Sequence, residues 1–161
     1  MTAPWNDNIW CASATNFTID SITVEPNSVF NHNSNSNFHK TYYQNPDFTI
    51  FGVGGMIMLN CSYGTISNNQ VHWTWADAIH NTDMTNNVLI TNNTIHNPGD
   101  DSIAVVSYGG NALCHDINII SNTIYNTTNR GITVIGGRRV KIADNSLSGM
   151  VGGGIWLAGE A

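Results

Sequence analysis

ITNNTIHN, from Ile90 to Asn97, returns almost intact as IISNTIYN, from Ile119 to Asn126. Looser copies stand on either side: ISNNQVHW at Ile66–Trp73 and IADNSLSG at Ile142–Gly149. With Asn69, Asn93, Asn122 and Asn145 as anchors, the copies lie 24, 29 and 23 residues apart. Self-similarity at such a period marks a chain built from stacked units. The apolar positions keep their offsets from copy to copy. Ile66, Ile90, Ile119 and Ile142 precede the anchors, and Val71, Ile95, Ile124 and Leu147 follow them. Further on come Ile79, Ile103, Ile132 and Ile155, then Asn81, Val105, Val134 and Leu157, where Asn81 breaks an aliphatic row.

Alternating β-branched residues punctuated by Asn and Gly read as short strands and turns. No stretch carries a capped helical period. Strands recurring at this spacing without helices predict an all-β fold, a right-handed parallel β-helix whose like residues form ladders. A β-propeller needs longer repeats of antiparallel strands. The four anchors predict an inward asparagine stack that bonds turn backbone and takes no part in chemistry. The 24 asparagines of the chain suit many tight turns, because Asn tolerates left-handed backbone.

The first half is less regular. NFTIDSITV (16–24) and GGMIMLNCSYG (54–64) read as further strand turns. Residues 25–48, containing NHNSNSNFHKTYYQN, are too polar and too long for a tight turn, and are expected to be a surface excursion. Its His32, His39, Tyr42 and Tyr43 are expected to face solvent. Both ends read as cut, since solenoids finish in capping elements and none is visible.

Composition narrows the function. Apolar residues make up 41% of the chain, enough for a real core. A net charge of −6 with only five Lys and Arg argues against nucleic-acid and anionic-membrane partners. No segment is apolar enough to span a bilayer, and the opening MTAPWNDNIW lacks the regions of a signal peptide. Cys11, Cys61 and Cys114, odd in number and widely spaced, give neither a disulfide framework nor a metal-ligand pattern. The chain is expected to act as a monomer.

In a chain so poor in charge, the pair Asp100–Asp101 in GDDSIAV (99–105) needs a reason. Adjacent carboxylates repel, and desolvation beside a core adds to the cost. The repeat supplies a geometry. Asp77, Asp101, Arg130 and Gly153 share one offset from the anchors, so Asp77 and Asp101 are expected on neighbouring coils, about 5 Å apart in backbone. Asp100 joins them, and Arg130 stacks on the next coil as counter-charge. Crowded carboxylates raise one another's proton affinity, so one is expected to hold its proton near neutral pH. One protonated and one ionised carboxyl is what glycoside hydrolysis requires. A calcium site or a turn network neutralised by Arg130 is the competing reading. No cofactor is expected.

Aromatic residues border the cluster. An outward row runs through His80, Ala104, Thr133 and Trp156, with Trp10 on the first coil, while loops supply Trp73, Trp75 and Tyr108. Sugar faces stack on such rings. His80, Arg130, Trp73, Trp75, Tyr108 and Trp156 are therefore the candidate substrate-binding residues.

WADAIH (75–80), followed by GDDSIAV, resembles the catalytic centre of glycoside hydrolase family 87, the α-1,3-glucanases (mutanases) and mycodextranases. The repeat pattern covers roughly residues 50–160, with specific similarity at 71–105 and in RGITVIGG (130–137). The resemblance implies an inverting mechanism in which Asp100 is the general acid, and Asp77 and Asp101 hold and deprotonate the attacking water. It also implies that residues 1–161 are part of a β-helix catalytic domain acting outside the cell on a polysaccharide. Family 28 polygalacturonases are similar too, but carry a GHG coil where this chain has NRG. Family 110 α-galactosidases have a comparable aspartate trio. Lyases and non-catalytic glycan-binding modules also use the β-helix.

Overall fold

The computed structural model describes residues 9–25, 54–74, 76–110 and 112–159. The expected excursion at 25–48 lies, apart from Glu25, outside the described residues. So does Trp75.

Every regular element among the described residues is a strand. Each coil contributes one strand to each of three parallel sheets. The first sheet runs β1 (Ile9–Ala12), β4 (Met56–Leu59), β7 (Ile79–Thr82), β10 (Ile103–Val106), β13 (Arg130–Ile135), β16 (Gly153–Ala158). The second stacks β2 (Thr18–Asp20), β5 (Ser62–Ser67), β8 (Asn86–Thr91), β11 (His115–Ile120) and β14 (Arg138–Ala143). The third stacks β3 (Thr23–Val24), β6 (Gln70–His72), β9 (Thr94–His96), β12 (Thr123–Tyr125) and β15 (Ser146–Ser148). The result is a parallel β-helix. Sequence and structure agree on its register: Ile79, Ile103, Ile132 and Ile155 pair across adjacent strands.

Alternation along each strand sends one row of side chains inward. Met56, Ile79, Ile103 and Ile132 form one such row, and Ile66, Ile90 and Ile119 another, all fully buried. Asn81 occupies an inward position between Met58 and Val105. Its Nδ2 donates to the Ala104 carbonyl at 3.3 Å, while its Oδ1 is buried without a partner.

The turns explain the asparagines. Ser21, Asn68, Asn92, Ser121 and Asp144 all have φ between 54° and 58°, each one residue before an anchor position. That left-handed conformation is tolerated best by short polar side chains. The anchor after each turn then points inward. Asn93 Oδ1 accepts from the Asn69 backbone N and Nδ2, both at 3.0 Å, and Asn93 Nδ2 donates to the Ile66 carbonyl at 2.9 Å. Asn122 and Asn145 repeat the pattern. The backbone amides of Ile22, Asn69, Asn93 and Asn122, which a tight turn would bury unpaired, are thereby satisfied.

From β4 onward the unequal coil lengths have one source. The corner joining the first sheet to the second takes residues 60–61, 83–85, 107–114 and 136–137 on successive coils. The corner joining the third sheet to the first has one length on its last four crossings, from His72, His96, Tyr125 and Ser148 to Ile79, Ile103, Ile132 and Ile155, while its first crossing, from Val24 to Met56, is far longer. The carboxylates stand on the crossings of equal length.

Candidate active site

Asp77 and Asp101 precede β7 and β10 at equivalent places. Asp77 Oδ1 accepts the Asp101 backbone N at 2.9 Å, and Asp101 Oδ1 accepts the Arg130 backbone N at 3.1 Å. Each carboxylate thus caps the turn of the next coil, as the asparagine anchors do. The fold already has a use for one oxygen of each.

Asp100 is different. Its Oδ1 accepts from Asn129 Nδ2 at 2.7 Å, and among the described residues no turn amide depends on it. Burial, and then the charge of Asp77, push its carboxyl up to about 6, against the hydrogen bond from Asn129. Burial and Asp77 also push Asp101 up, while Thr133 and Arg130 oppose them. Arg130 Nε lies 2.8 Å from Asp101 Oδ1, a nearly closed pair that favours the charged form of Asp101 against its burial. The site therefore holds an acid with a high proton affinity beside a fixed carboxylate.

One oxygen from each of Asp77, Asp100 and Asp101 falls within 4.8 Å of the other two. Three clustered carboxylates invite a hard cation, but calcium takes about six to eight oxygen ligands. Here Arg130 already engages Asp101, and His80 Nδ1 meets Asp77 Oδ2 at 2.6 Å. The donor set suits proton transfer better than metal binding.

The substrate-binding candidates divide. His80 lies against Asp77, where it orients that carboxylate. Arg130 is committed to Asp101, and its guanidinium lies 5.8 Å from the ring centre of Trp156, which is half exposed. Trp73 occupies the same corner as Asp77, in a left-handed conformation with φ 57°. Tyr108 does not border the cluster. It follows β10, at the far end of that strand from Asp101, and at about 3.3 Å per residue the strand alone separates them by more than 10 Å. The outward row is also less open than its sequence suggests. Ala104 and Thr133 are completely buried.

Two features of the site lie outside the sequence patterns. Asn129 is one residue before Arg130, so the register does align it with Asp100, but nothing in an asparagine-rich chain singles it out. His72, His96 and Tyr125 form a ring stack just before the same corner, with centroids 4.7 and 4.8 Å apart. The rings cover one another's faces and present edges outward, so the stack is packing between coils.

A family model described as right handed beta helix region matches residues 5–161. The chain belongs to that family. No curated protein matches this β-helix protein, and no solved structure does. Family membership establishes the coil architecture and leaves chemistry to be argued from the site.

Proposed function

We propose that this β-helix protein is a glycoside hydrolase that cleaves an α-linked glucan, with α-1,3-glucan foremost. The observation that carries the reading is Asp100. It is a carboxyl that caps no turn amide among the described residues, held up to about 6 by burial and then by the charge of Asp77. Asp100 gives its proton to the departing glycosidic oxygen. Asp77, oriented by His80, and Asp101, held by Arg130, orient water and take its proton as it attacks.

The cations bear on substrate class. Arg130 is occupied by Asp101, and Arg139 by Asp116 at 2.5 Å. Arg138, Arg139 and Lys141 all belong to β14 in the second sheet, away from the carboxylate corner. Among the described residues no cation at that corner remains to meet a uronate, which favours a neutral glycan over galacturonan. A neutral sugar would stack on Trp73 and Trp156. The linkage rests on the resemblance of WADAIH and GDDSIAV to the α-1,3-glucanases. A polymeric substrate implies action outside the cell, by a monomer.

Inversion is the mechanism that resemblance implies, yet the spacing favours a second reading. Inverting pairs keep their carboxyls about 6.5–9.5 Å apart, and retaining pairs about 5–5.5 Å. Oxygens within 4.8 Å suit a retaining enzyme with Asp77 or Asp101 as nucleophile, unless substrate opens the cluster. Product analysis on a panel of polysaccharides tests the function. Shortened α-glucan without an ultraviolet-absorbing unsaturated end is expected. An unsaturated product would mean elimination, and binding without shortening would mean a glycan-binding module. Time-resolved NMR separates the mechanisms: a first-formed β anomer means inversion, an α anomer retention.

A further inference from the structure

Cys11 and Cys61 are remote in sequence, and the irregular stretch between them hides their register. In the fold they meet. Cys11 points inward from β1, in line with Met58 and Asn81, while Cys61 fills the corner after β4. Their sulfurs lie 3.3 Å apart. Cys61 is fully buried and Cys11 partly so. Cys114 occupies the same corner two coils further on, where its sulfur faces the Asn81 and Val106 carbonyls at 3.8 Å and no other thiol. The two close sulfurs already touch, so a modest closure would bring them to bonding distance.

We propose that Cys11 and Cys61 are a disulfide site that staples the first described coil to the second. The chemistry is thiol–disulfide exchange with a small disulfide such as oxidised glutathione. One protein thiolate attacks it and releases one equivalent of glutathione thiol. The second protein thiolate then displaces the other equivalent, so two protons leave the protein and the oxidant takes up both electrons. The bond closes a covalent loop that contains the whole stretch from residue 12 to residue 60. It ties down β1, whose one strand partner among the described residues is β4. Burial and then the neighbouring Cys61 push the Cys11 thiol up to about 12, so little thiolate is present at neutral pH and the exchange is slow.

The test is to equilibrate the purified protein with a glutathione redox buffer, denature it in an alkylating agent, and record intact mass and a peptide map. The expected product has lost two hydrogens, carries one alkyl group on Cys114, and yields a linked peptide containing Cys11 and Cys61. Cys114→Ser should keep the link, and Cys11→Ser and Cys61→Ser should abolish it. Reductant should lower the melting temperature of the oxidised protein by about 10 °C and leave that of Cys11→Ser unchanged. Three alkylated cysteines after prolonged oxidation would overturn the proposal. So would a stable glutathione adduct, a link through Cys114, or a melting temperature indifferent to reductant.

Discussion

Asp100 enters the folded state with its carboxyl partly desolvated and within reach of two other carboxylates, and both effects act through pH. Its affinity for a proton is higher folded than unfolded, so the stability it confers is complete below pH about 4 and is lost as pH rises through about 6. At pH 8 the folded protein carries the full penalty. Asp100→Asn should therefore raise stability at pH 8 by roughly 2–3 kcal/mol, with the difference fading below pH 4, as denaturant titrations across that range would register. The same substitution should nearly abolish cleavage of unactivated glucan while binding persists. Wild-type activity should fall above pH about 6, where the acid loses its proton. Asn129→Ala removes a donor that favours the ionised form, so the alkaline limb of the rate profile should move upward by about one pH unit. A purely structural Asn129 would leave that limb in place.

Ladders turn single substitutions into tests of register. Ile103 is buried between Ile79 and Ile132, so Ile103→Ala should cost about 2–5 kcal/mol by leaving a cavity that neighbouring coils cannot close. Asn81 is the converse case. Asn81→Val should raise stability by about 1–2 kcal/mol, because it removes a buried oxygen without a partner and restores an aliphatic row. An unchanged denaturation midpoint would contradict either expectation. These ladders are legible in sequence because inward side chains recur at fixed offsets, and an isoleucine displaced by one position would face outward. The site is legible only as far as backbone position determines it. Asp77, Asp101 and Arg130 follow from the same offset. The contact of His80 with Asp77 does not, since it depends on how two side chains turn at a corner. Tyr108 reads from the sequence as bordering the cluster but lies beyond the far end of β10, because the long coil shows that residues were added without showing at which corner. The Cys11–Cys61 contact escapes for a related reason: offsets cannot be counted across residues 25–48.

At the scale of the whole molecule, the coils from β4 onward differ in length only at the corner between the first and second sheets. Residues 107–114 form its longest version, closed by Ser107 Oγ, which accepts from the Cys114 backbone N at 2.9 Å and donates to the Gly136 carbonyl at 2.8 Å. Deleting residues 108–112 would give this coil the corner length that 83–85 provides on the preceding one. The variant should fold with its unfolding free energy changed by less than about 1 kcal/mol, measured by denaturant titration, since loop length weighs little on stability. It should keep its action on short substrates and change its preference among long ones, because Tyr108 is lost and the aspartates are untouched.

That asymmetry sets what kind of history the protein is free to have. On the crossings that bear Asp77 and Asp101, an inserted residue would displace a carboxylate from the amide it caps and, under the proposed function, dismantle proton transfer in the same event. Residues inserted at the opposite corner leave every ladder and every carboxylate where it was. If the proposed function holds, mutation can therefore explore new polymers at one margin of the sheet without interrupting catalysis at the other, and neither margin has to wait for the other to change.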